Sequence, residues 1–517
     1  MVRVAVPLPI QYKPYLCRLM AFKDDVPSYP KTIEFSQQQL LSVTPELVAR
    51  WLRYVAYGTP TPGPNDYPTE ARSTHIAFAK KAVSHFMPNQ QAWVVEHNVG
   101  NPTKSAIVNK VIQDVKKAEV RKQGRASNAK RDMTRAEFRM TLRILQESTT
   151  GILSYDKAAK YPTMLKLQFH IIARTDDVCN VETNDIRSHS QFPFAGQLKV
   201  SWSKNVLEER ECPDQILIGA FDDDFCILIA LGTWLECSLS SRQQHQKKFL
   251  FEPADDDGAP DRLNKRYGRI LTKNVWKKNE EFQRLVAQTG GSLGTHSVRK
   301  FPATWASRNG AQQPEIEVRG RWKGSRNGAI VNRYISVDQL PTDAKLAGIL
   351  AVGGPVKYRV KADSHVTDAF LSEVVVPAIA SHFSHDESNH VAQLLAPAVL
   401  YAAHVEGLKM LFVPAVRDRI ISGYAAIRRD HGADYNPVEK VRLHIFRVEN
   451  QVCIEELNAP DNANTGPEEL IAVGQVQANR DDMQSALLQL HRLHQDMALL
   501  QQRIEVNVFT CLMPTMC

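Results

Sequence analysis

The sequence has no long apolar run of the kind that crosses a membrane. No uninterrupted apolar stretch approaches the roughly 18–20 residues that a membrane-spanning helix needs, and the nearest candidates, around 225–231 and 391–403, are shorter or broken by polar residues. The first residues, MVRVAVPLPIQYKPYLC, hold no apolar core of the length of a secretory signal. We therefore expect an intracellular protein with no membrane partner.

The sequence also lacks paired cysteines and the common cofactor motifs. Its 8 cysteines are scattered and form no CxxC pair, so they predict reduced thiols rather than a disulfide framework or a zinc site. There is no Walker A loop, no HExxH and no strand-linked GxGxxG. From these patterns we expect no metal and no cofactor.

Length, composition and charge indicate which class of protein this is. With 517 residues the chain is too long for one ordinary domain, and 43% hydrophobic with 23% charged residues is typical of globular proteins. The formal net charge of +8 is concentrated, since Lys104–Arg143 holds 12 basic and 4 acidic residues. Such a run is either a solvated face or a surface for a nucleic-acid backbone. The cations that we predict to bind DNA are Lys104, Lys110, Lys116, Lys117, Arg121, Lys122, Arg125, Lys130 and Arg131.

Proline, glycine and apolar spacing divide the chain into segments. We expect a mainly α-helical protein, with one helix that starts at Thr44-Pro45 and ends before Gly58, and with one β-hairpin formed by residues 198–203 and 214–219. The last helix repeats leucines at three- and four-residue steps from Leu487 to Leu500, so it either packs on its own domain or forms a dimer contact. The predicted segments are an irregular stretch 1–35, a helical domain 36–122, a basic linker 123–133, a larger domain 134–355, a helical region 356–450, a polar linker 451–475 and a final helix 476–510.

A set of chemically active residues lies in the larger predicted domain. His296 and Arg299, in HSVRK, are three residues apart and share one face of a helix. Trp322 follows in a Gly-Arg-Trp step, and Tyr334 follows in NRYI. This ordered set resembles the carboxy-terminal box of the tyrosine recombinases, the phage-integrase-like enzymes of DNA strand exchange. The interval between Trp322 and Tyr334 is slightly longer than is usual in that family.

Two upstream positions fit the same resemblance. The family has an arginine after an apolar helix, and Arg174 stands there, with Asp177 in place of the usual glutamate. The family also has a lysine on a β-hairpin, for which Lys204 is the first candidate and Lys199 the second. Short phrases such as GNPTKS, VRKQG and WSKNVLEER resemble the recombinases of Crypton-type eukaryotic DNA transposons.

The resemblance implies a fold, a reaction and partners. The fold would combine a helical SAM-like core-binding domain with an α-rich catalytic domain and a helical C-terminal extension. Tyr334 would attack a phosphodiester to give a 3′-phosphotyrosine, without metal or ATP. Arg174 and Arg299 would bind the phosphate, His296 and Trp322 would support it, Lys204 would protonate the leaving oxygen, and Asp177 would orient an arginine. The partners would be double-stranded DNA and further copies in a tetramer, in the nucleus of a eukaryote or otherwise in the cytoplasm or nucleoid.

Other interpretations of the same residues stay open. Taken singly, Arg174 fits a structural ion pair, Trp322 a core anchor, Tyr334 a packed aromatic, His296 a helix cap and Lys204 a solvated surface lysine. Only their joint order favours catalysis. At the level of function, the alternatives are a non-catalytic DNA-binding protein of the same fold and a type IB topoisomerase-like enzyme that relaxes DNA.

Overall fold

The computed structural model describes residues 8–147, 155–204, 206, 212–240, 248–251, 260–322, 340–384, 390–428, 435–448 and 451–457. Two compact units share these residues. The first contains residues up to Arg131 together with Val286–Gly294, and the second contains Asp132–Leu285 and the chain from Thr295 onward. The described chain is mainly helical with small antiparallel sheets, as predicted. None of its helices combines the length and the apolar character needed to cross a bilayer.

The first unit is built from helices around one apolar core. Trp51, Leu52, Ile76, Val83 and Val115 are among its buried residues. The predicted helix signals near Thr44 are confirmed, because the Thr44 hydroxyl caps the helix start and Gly58 ends it at φ +78°. The helices are α1 (Leu8–Lys23), α2 (Gln37–Leu41), α3 (Pro45–Tyr57), α4 (Ser73–Phe86) and α5 (Ala106–Val120).

The prediction of an irregular stretch over 1–35 was wrong, because α1 occupies Leu8–Lys23. Its proline, Pro14, lies inside the helix, where it removes one backbone hydrogen bond. Leu16, Leu19 and Met20 are nevertheless buried, each at most 2% exposed, and α1 packs on α4. Burial of this helix-spaced apolar face outweighs the local cost of the proline.

The second unit contains thirteen α-helices within the described residues. An aromatic cluster lies at its centre: the rings of Phe138 and Phe225 stack 5.0 Å apart, and those of Phe169 and Phe301 are 5.1 Å apart. The helices are α6 (Arg135–Glu147), α7 (Tyr155–His170), α8 (Thr175–Cys179), α9 (Ile227–Ser240), α10 (Pro260–Arg269), α11 (Glu280–Thr289, whose last residues belong to the first unit), α12 (Thr295–Arg308), α13 (Gln313–Arg319), α14 (Leu340–Leu350), α15 (Asp368–Phe370), α16 (Pro377–Phe383), α17 (Val391–Ala403) and α18 (Pro414–Ile427).

Two antiparallel sheets complete the second unit. The predicted hairpin is confirmed by the pairing of Leu198 with Gln215, and a third strand lies beside it. Its first strand is Gly196–Lys199 rather than 198–203, and its second ends at Leu217 rather than at 219. The first sheet has the order β1 (Ile186–Ser188), β2 (Gly196–Lys199) and β3 (Asp214–Leu217). The second sheet has the order β4 (Gly219–Ala220), β5 (Pro355–Val360), β6 (Val438–Val448) and β7 (Gln451–Glu456).

The predicted helical region 356–450 contains helices α15 to α18, but the prediction missed two strands there, β5 at its start and β6 at its end. Val441, Leu443 and Ile445 alternate with polar residues, which is the period of a strand rather than a helix. Nor does the chain start a separate unit at 355, since β5 pairs with β4. The predicted polar linker 451–475 begins with a strand instead, because β7 pairs with β6. Beyond Leu457, the rest of that linker and the predicted final helix 476–510 lie outside the described residues.

A buried carboxylate joins the C-terminal helices to α9. The Glu236 side chain is fully buried and accepts backbone N–H bonds from Ala378 (3.1 Å) and Ile379 (3.2 Å) at the start of α16. It also forms an ion pair with Arg419 of α18, with an N–O distance of 2.6 Å. Glu236 of α9 therefore connects its own helix to α16 and α18, which lie far from it in the sequence.

The contact between α9 and α17 predicts that Gly232→Ala destabilises the protein, although alanine favours helices more than glycine does. A Cβ atom on Gly232 would lie 2.6 Å from Cγ2 of Val399 and 3.4 Å from Cβ of Leu395. Alanine favours helices over glycine by up to about 1 kcal/mol, but overpacking a core costs about 1–3 kcal/mol. We expect Gly232→Ala to lower the free energy of unfolding measured by urea denaturation. Greater stability than wild type would show that the two helices separate at little cost.

Candidate functional site

Arg174 lies at a tight turn between two helices. After α7 ends at His170, the chain passes through Ile172 at φ +47°, a conformation that is uncommon for a β-branched residue. The backbone N–H of Arg174 donates to the Asp177 carboxylate at 2.9 Å, which fixes the start of α8. The Arg174 side chain is half-buried, and its Nη1 lies 3.4 Å from the Ser203 hydroxyl. The turn therefore directs one guanidinium toward the chain that carries Lys204.

Arg299 reaches the same turn from the first half of α12. Its side chain is buried, with Nε donating to the Ile172 carbonyl at 3.0 Å and Nη2 to the Gly320 carbonyl. Its guanidinium carbon lies 4.6 Å from the centre of the Trp322 ring, which is a cation–π contact. Within the described part of the chain, Nη1 of Arg299 makes no hydrogen bond.

The two guanidiniums are close enough to affect each other electrostatically. Burial, and then the positive charge of Arg174, lower the pKa of Arg299 from its ordinary value to about 9, while the Asp177 carboxylate acts in the opposite direction. Arg299 therefore remains charged at neutral pH. Within the described part of the chain, both arginines keep N–H donors that make no hydrogen bond. Two repelling cations of this kind attract an anion with several acceptor oxygens.

Asp177 and Arg321 form an ion pair beneath these two arginines. Their side chains are 0% and 1% exposed, and the Asp177 carboxylate lies 3.3 Å from Nη2 of Arg321. The remaining bonds of Arg321 go to the carbonyls of Ile171 (3.3 Å) and Arg319 (3.1 Å). The Asp177 carboxylate therefore pairs with Arg321 rather than with Arg174 or Arg299. Among the described residues, neither of these two arginines forms a salt bridge.

In the Gly-Arg-Trp step, the ring of Trp322 packs directly against the backbone of Gly320. A Cβ atom on Gly320 would lie 2.5 Å from Cε3 of Trp322, so the ring occupies the space that any other residue would fill. Arg321 has φ +54°, and this left-handed step turns the chain so that Trp322 lies over Arg299. Glycine at 320 is therefore required by the packing of Trp322.

His296 and Lys204 are both exposed to solvent. His296 lies in the first turn of α12, one helical turn before Arg299, and Lys204 directly follows the buried Ser203. Lys199, the second hairpin candidate, lies within β2 opposite Asp214. Tyr334, the predicted nucleophile, lies outside the described residues.

The structure thus brings together Arg174, Asp177, Arg299 and Trp322, with Ser203 joining the hairpin to the group. Sequence analysis missed Arg321 and Ser203. Arg321 stands in the Gly-Arg-Trp phrase itself, but its partner Asp177 is 144 residues away, so no local pattern indicates the pair.

The nine predicted DNA-binding cations differ in their surroundings. Four of them bond to the protein: Lys104 to the Gln90 carbonyl, Arg125 to the Glu70 carbonyl, Lys130 to Ser292 (2.9 Å) and Arg131 to the Gly290 carbonyl (2.6 Å). Lys117 lies 4.0 Å from Asp114. The other four are exposed and form no ion pair or side-chain hydrogen bond among the described residues: Lys110, Lys116, Arg121 and Lys122.

The solvent-facing side of α5 carries an ordered row of cations. Lys110, Lys117 and Arg121 are spaced by seven and four residues, which places them on one stripe of the helix and its end. Val108, Val111 and Val115 fill the opposite, buried side. The positive charge of this segment is therefore exposed rather than used in packing.

Comparison with known proteins adds no relative. No protein-family model matches this chain, and no curated protein is significantly similar to it.

Proposed function

We propose that this protein is a DNA strand transferase of the tyrosine recombinase type, which cuts and rejoins DNA through a covalent 3′-phosphotyrosine. The observation that carries the proposal is the convergence of Arg174 and Arg299, from distant parts of the chain, on one site where both have N–H donors that bond to none of the described residues. The finer proposal is a transposase similar to those of Crypton-type elements, acting in the nucleus as a tetramer on two DNA duplexes.

The residue types suit this reaction. The hydroxyl oxygen of Tyr334 attacks the phosphorus. A bond forms between this oxygen and phosphorus while the bond between phosphorus and the 5′ oxygen breaks, and Lys204 gives the 5′ oxygen a proton. Charge builds on the non-bridging oxygens of the five-coordinate transition state, where the planar forks of Arg174 and Arg299 bind them. His296 accepts the proton that Tyr334 loses, and with this proton it donates a hydrogen bond to the phosphate. Because one ester replaces another, rejoining needs no ATP.

The test is a covalent adduct. Nicked duplexes, tiled across the DNA that flanks the coding sequence, trap a phosphotyrosine because the short cleaved strand diffuses away. We expect the wild-type full chain to give a labelled adduct that survives denaturing electrophoresis, and Tyr334→Phe to give none. Tyr54→Phe, at a tyrosine that is 49% exposed in the first unit, is the matched control and should behave as wild type.

Each other outcome favours a different function. An adduct with Tyr334→Phe would show that the nucleophile is another residue. Tight DNA binding by wild type without any adduct would favour a non-catalytic DNA-binding protein of the same fold. Relaxation of supercoiled DNA without strand exchange between duplexes would favour a type IB topoisomerase-like enzyme.

The cations of α5 and the segment that follows it predict a salt effect. Each neutralised phosphate contributes about −0.9 to the slope of log K against log salt concentration. Replacing four cations with glutamine should therefore make the slope less negative by about 3–4, as measured by fluorescence anisotropy with a duplex over a range of salt concentrations. The four residues are Lys116, Lys117, Arg121 and Lys122.

A matched variant separates local contact from total charge. Four exposed cations near α11 give the same change in net charge: Lys273, Lys277, Lys278 and Arg284. Their replacement should leave the slope close to that of wild type. An equal change in both variants would mean that only total charge matters, and no change in the first would mean that this segment does not touch DNA.

A further inference from the structure

Arg321 is too deeply buried to touch DNA. Its side chain is 1% exposed, and its terminal nitrogens bond to the carbonyls of Ile171 and Arg319 and to the carboxylate of Asp177. A group with this environment contributes to a reaction only through the residues that it holds.

The bonds of Arg321 fix the turn that carries Arg174. Ile171 lies before Arg174 and Asp177 lies after it, so Arg321 contacts both sides of the turn. The same oxygen of Asp177, Oδ2, also accepts the backbone N–H of Arg174 at 2.9 Å. A loss of Arg321 would free this carboxylate and the backbone position of Arg174 together.

The backbone of Arg321 fixes the position of the other arginine. Gly320, just before it, accepts a hydrogen bond from Arg299, and Trp322, just after it, lies against the Arg299 guanidinium. Arg321 itself adopts φ +54°, a conformation in which arginine is uncommon. Its three side-chain bonds hold it there, so they also hold the two neighbours that contact Arg299.

We infer that Arg321 is a positioning residue that aligns the guanidiniums of Arg174 and Arg299 on the scissile phosphate. The assignment rests on the proposed function. The predicted roles include Asp177, as the residue that orients an arginine, but not Arg321, the arginine whose side chain pairs with Asp177 and stays inside the protein.

The test separates binding from rate. In single-turnover reactions, Arg321→Gln should slow adduct formation by about 10²-fold, the size of effect that a 1 Å misplacement produces. The dissociation constant for uncleaved DNA should change less than about twofold, because phosphate contacts elsewhere are intact. Arg321→Lys, which keeps a positive charge beside Asp177, should recover part of the rate.

A double-mutant cycle tests the route through Arg174. If Arg321 acts by aligning Arg174, then Arg321→Gln should have a much smaller effect in an Arg174→Lys background than in wild type. Gly232→Ala serves as the stability control, since it weakens a helix contact outside this site. It should leave the rate unchanged at a temperature where all variants are folded.

The outcomes are distinct. If wild type forms no adduct on any duplex, the proposed function fails. If wild type reacts and folded Arg321→Gln reacts at the same rate, the positioning assignment is overturned and the proposed function stands. The same conclusion follows if Arg321→Gln loses as much rate in both the Arg174→Lys and the Arg299→Lys backgrounds as it does in wild type. If Arg321→Gln does not fold, Arg321→Lys replaces it in the same double-mutant cycle.

Discussion

Replacing Arg299 with alanine is expected to slow formation of the covalent DNA adduct by about 10²–10³-fold, the usual effect of removing one pre-organised donor to a charged transition state. The side chain is already held by the Ile172 and Gly320 carbonyls and by Trp322, so its Nη1, which bonds to none of the described residues, needs no reorganisation to meet phosphate. Single-turnover gel assays with saturating protein measure this rate. Binding of uncleaved DNA should weaken much less.

Two control variants show which property of Arg299 matters. Arg299→Lys keeps the charge but loses the planar fork, so we expect an intermediate rate. Arg308→Ala removes an exposed arginine from the last turn of the same helix and should not change the rate. A normal rate for Arg299→Ala, with the protein folded, would remove Arg299 from the reaction.

Local patterns predicted the helix ends well. At Thr44 and Gly58 the side-chain cap and the left-handed glycine are properties of a few neighbouring residues, so the sequence alone indicates them. The helix at Leu8–Lys23 was missed because Pro14 is a strong local signal, whereas its stabilisation comes from packing on α4. Tertiary burial decided the structure there.

The candidate site shows the same limit. The order of Arg174, Lys204, His296, Arg299 and Trp322 could be found from spacing and from a resemblance. The buried pair of Asp177 and Arg321 could not, because a charge in the sequence does not reveal whether it lies in solvent or meets a partner 144 residues away. Arg321, next to an expected site residue, would ordinarily be interpreted as one more DNA-binding cation.

Asp177→Asn is expected to be the most destabilising single substitution in the site. The asparagine oxygen can still accept the Arg174 backbone N–H, but the charge of Arg321 would remain buried without its counter-ion. Breaking a buried ion pair in this way costs about 3–5 kcal/mol, and both side chains here are at most 1% exposed. Urea denaturation followed by circular dichroism measures the loss in free energy of unfolding.

An exposed aspartate of the same unit provides the control. Asp418 lies on the solvent side of α18, so Asp418→Asn should cost under about 1 kcal/mol. The double variant Asp177→Asn with Arg321→Gln removes both charges and should be more stable than Asp177→Asn alone, since no unpaired charge is left in the interior. If the double variant is instead the less stable one, the hydrogen bonds of Arg321 to the Ile171 and Arg319 carbonyls contribute more to the fold than its charge costs, and the ion pair is secondary to them.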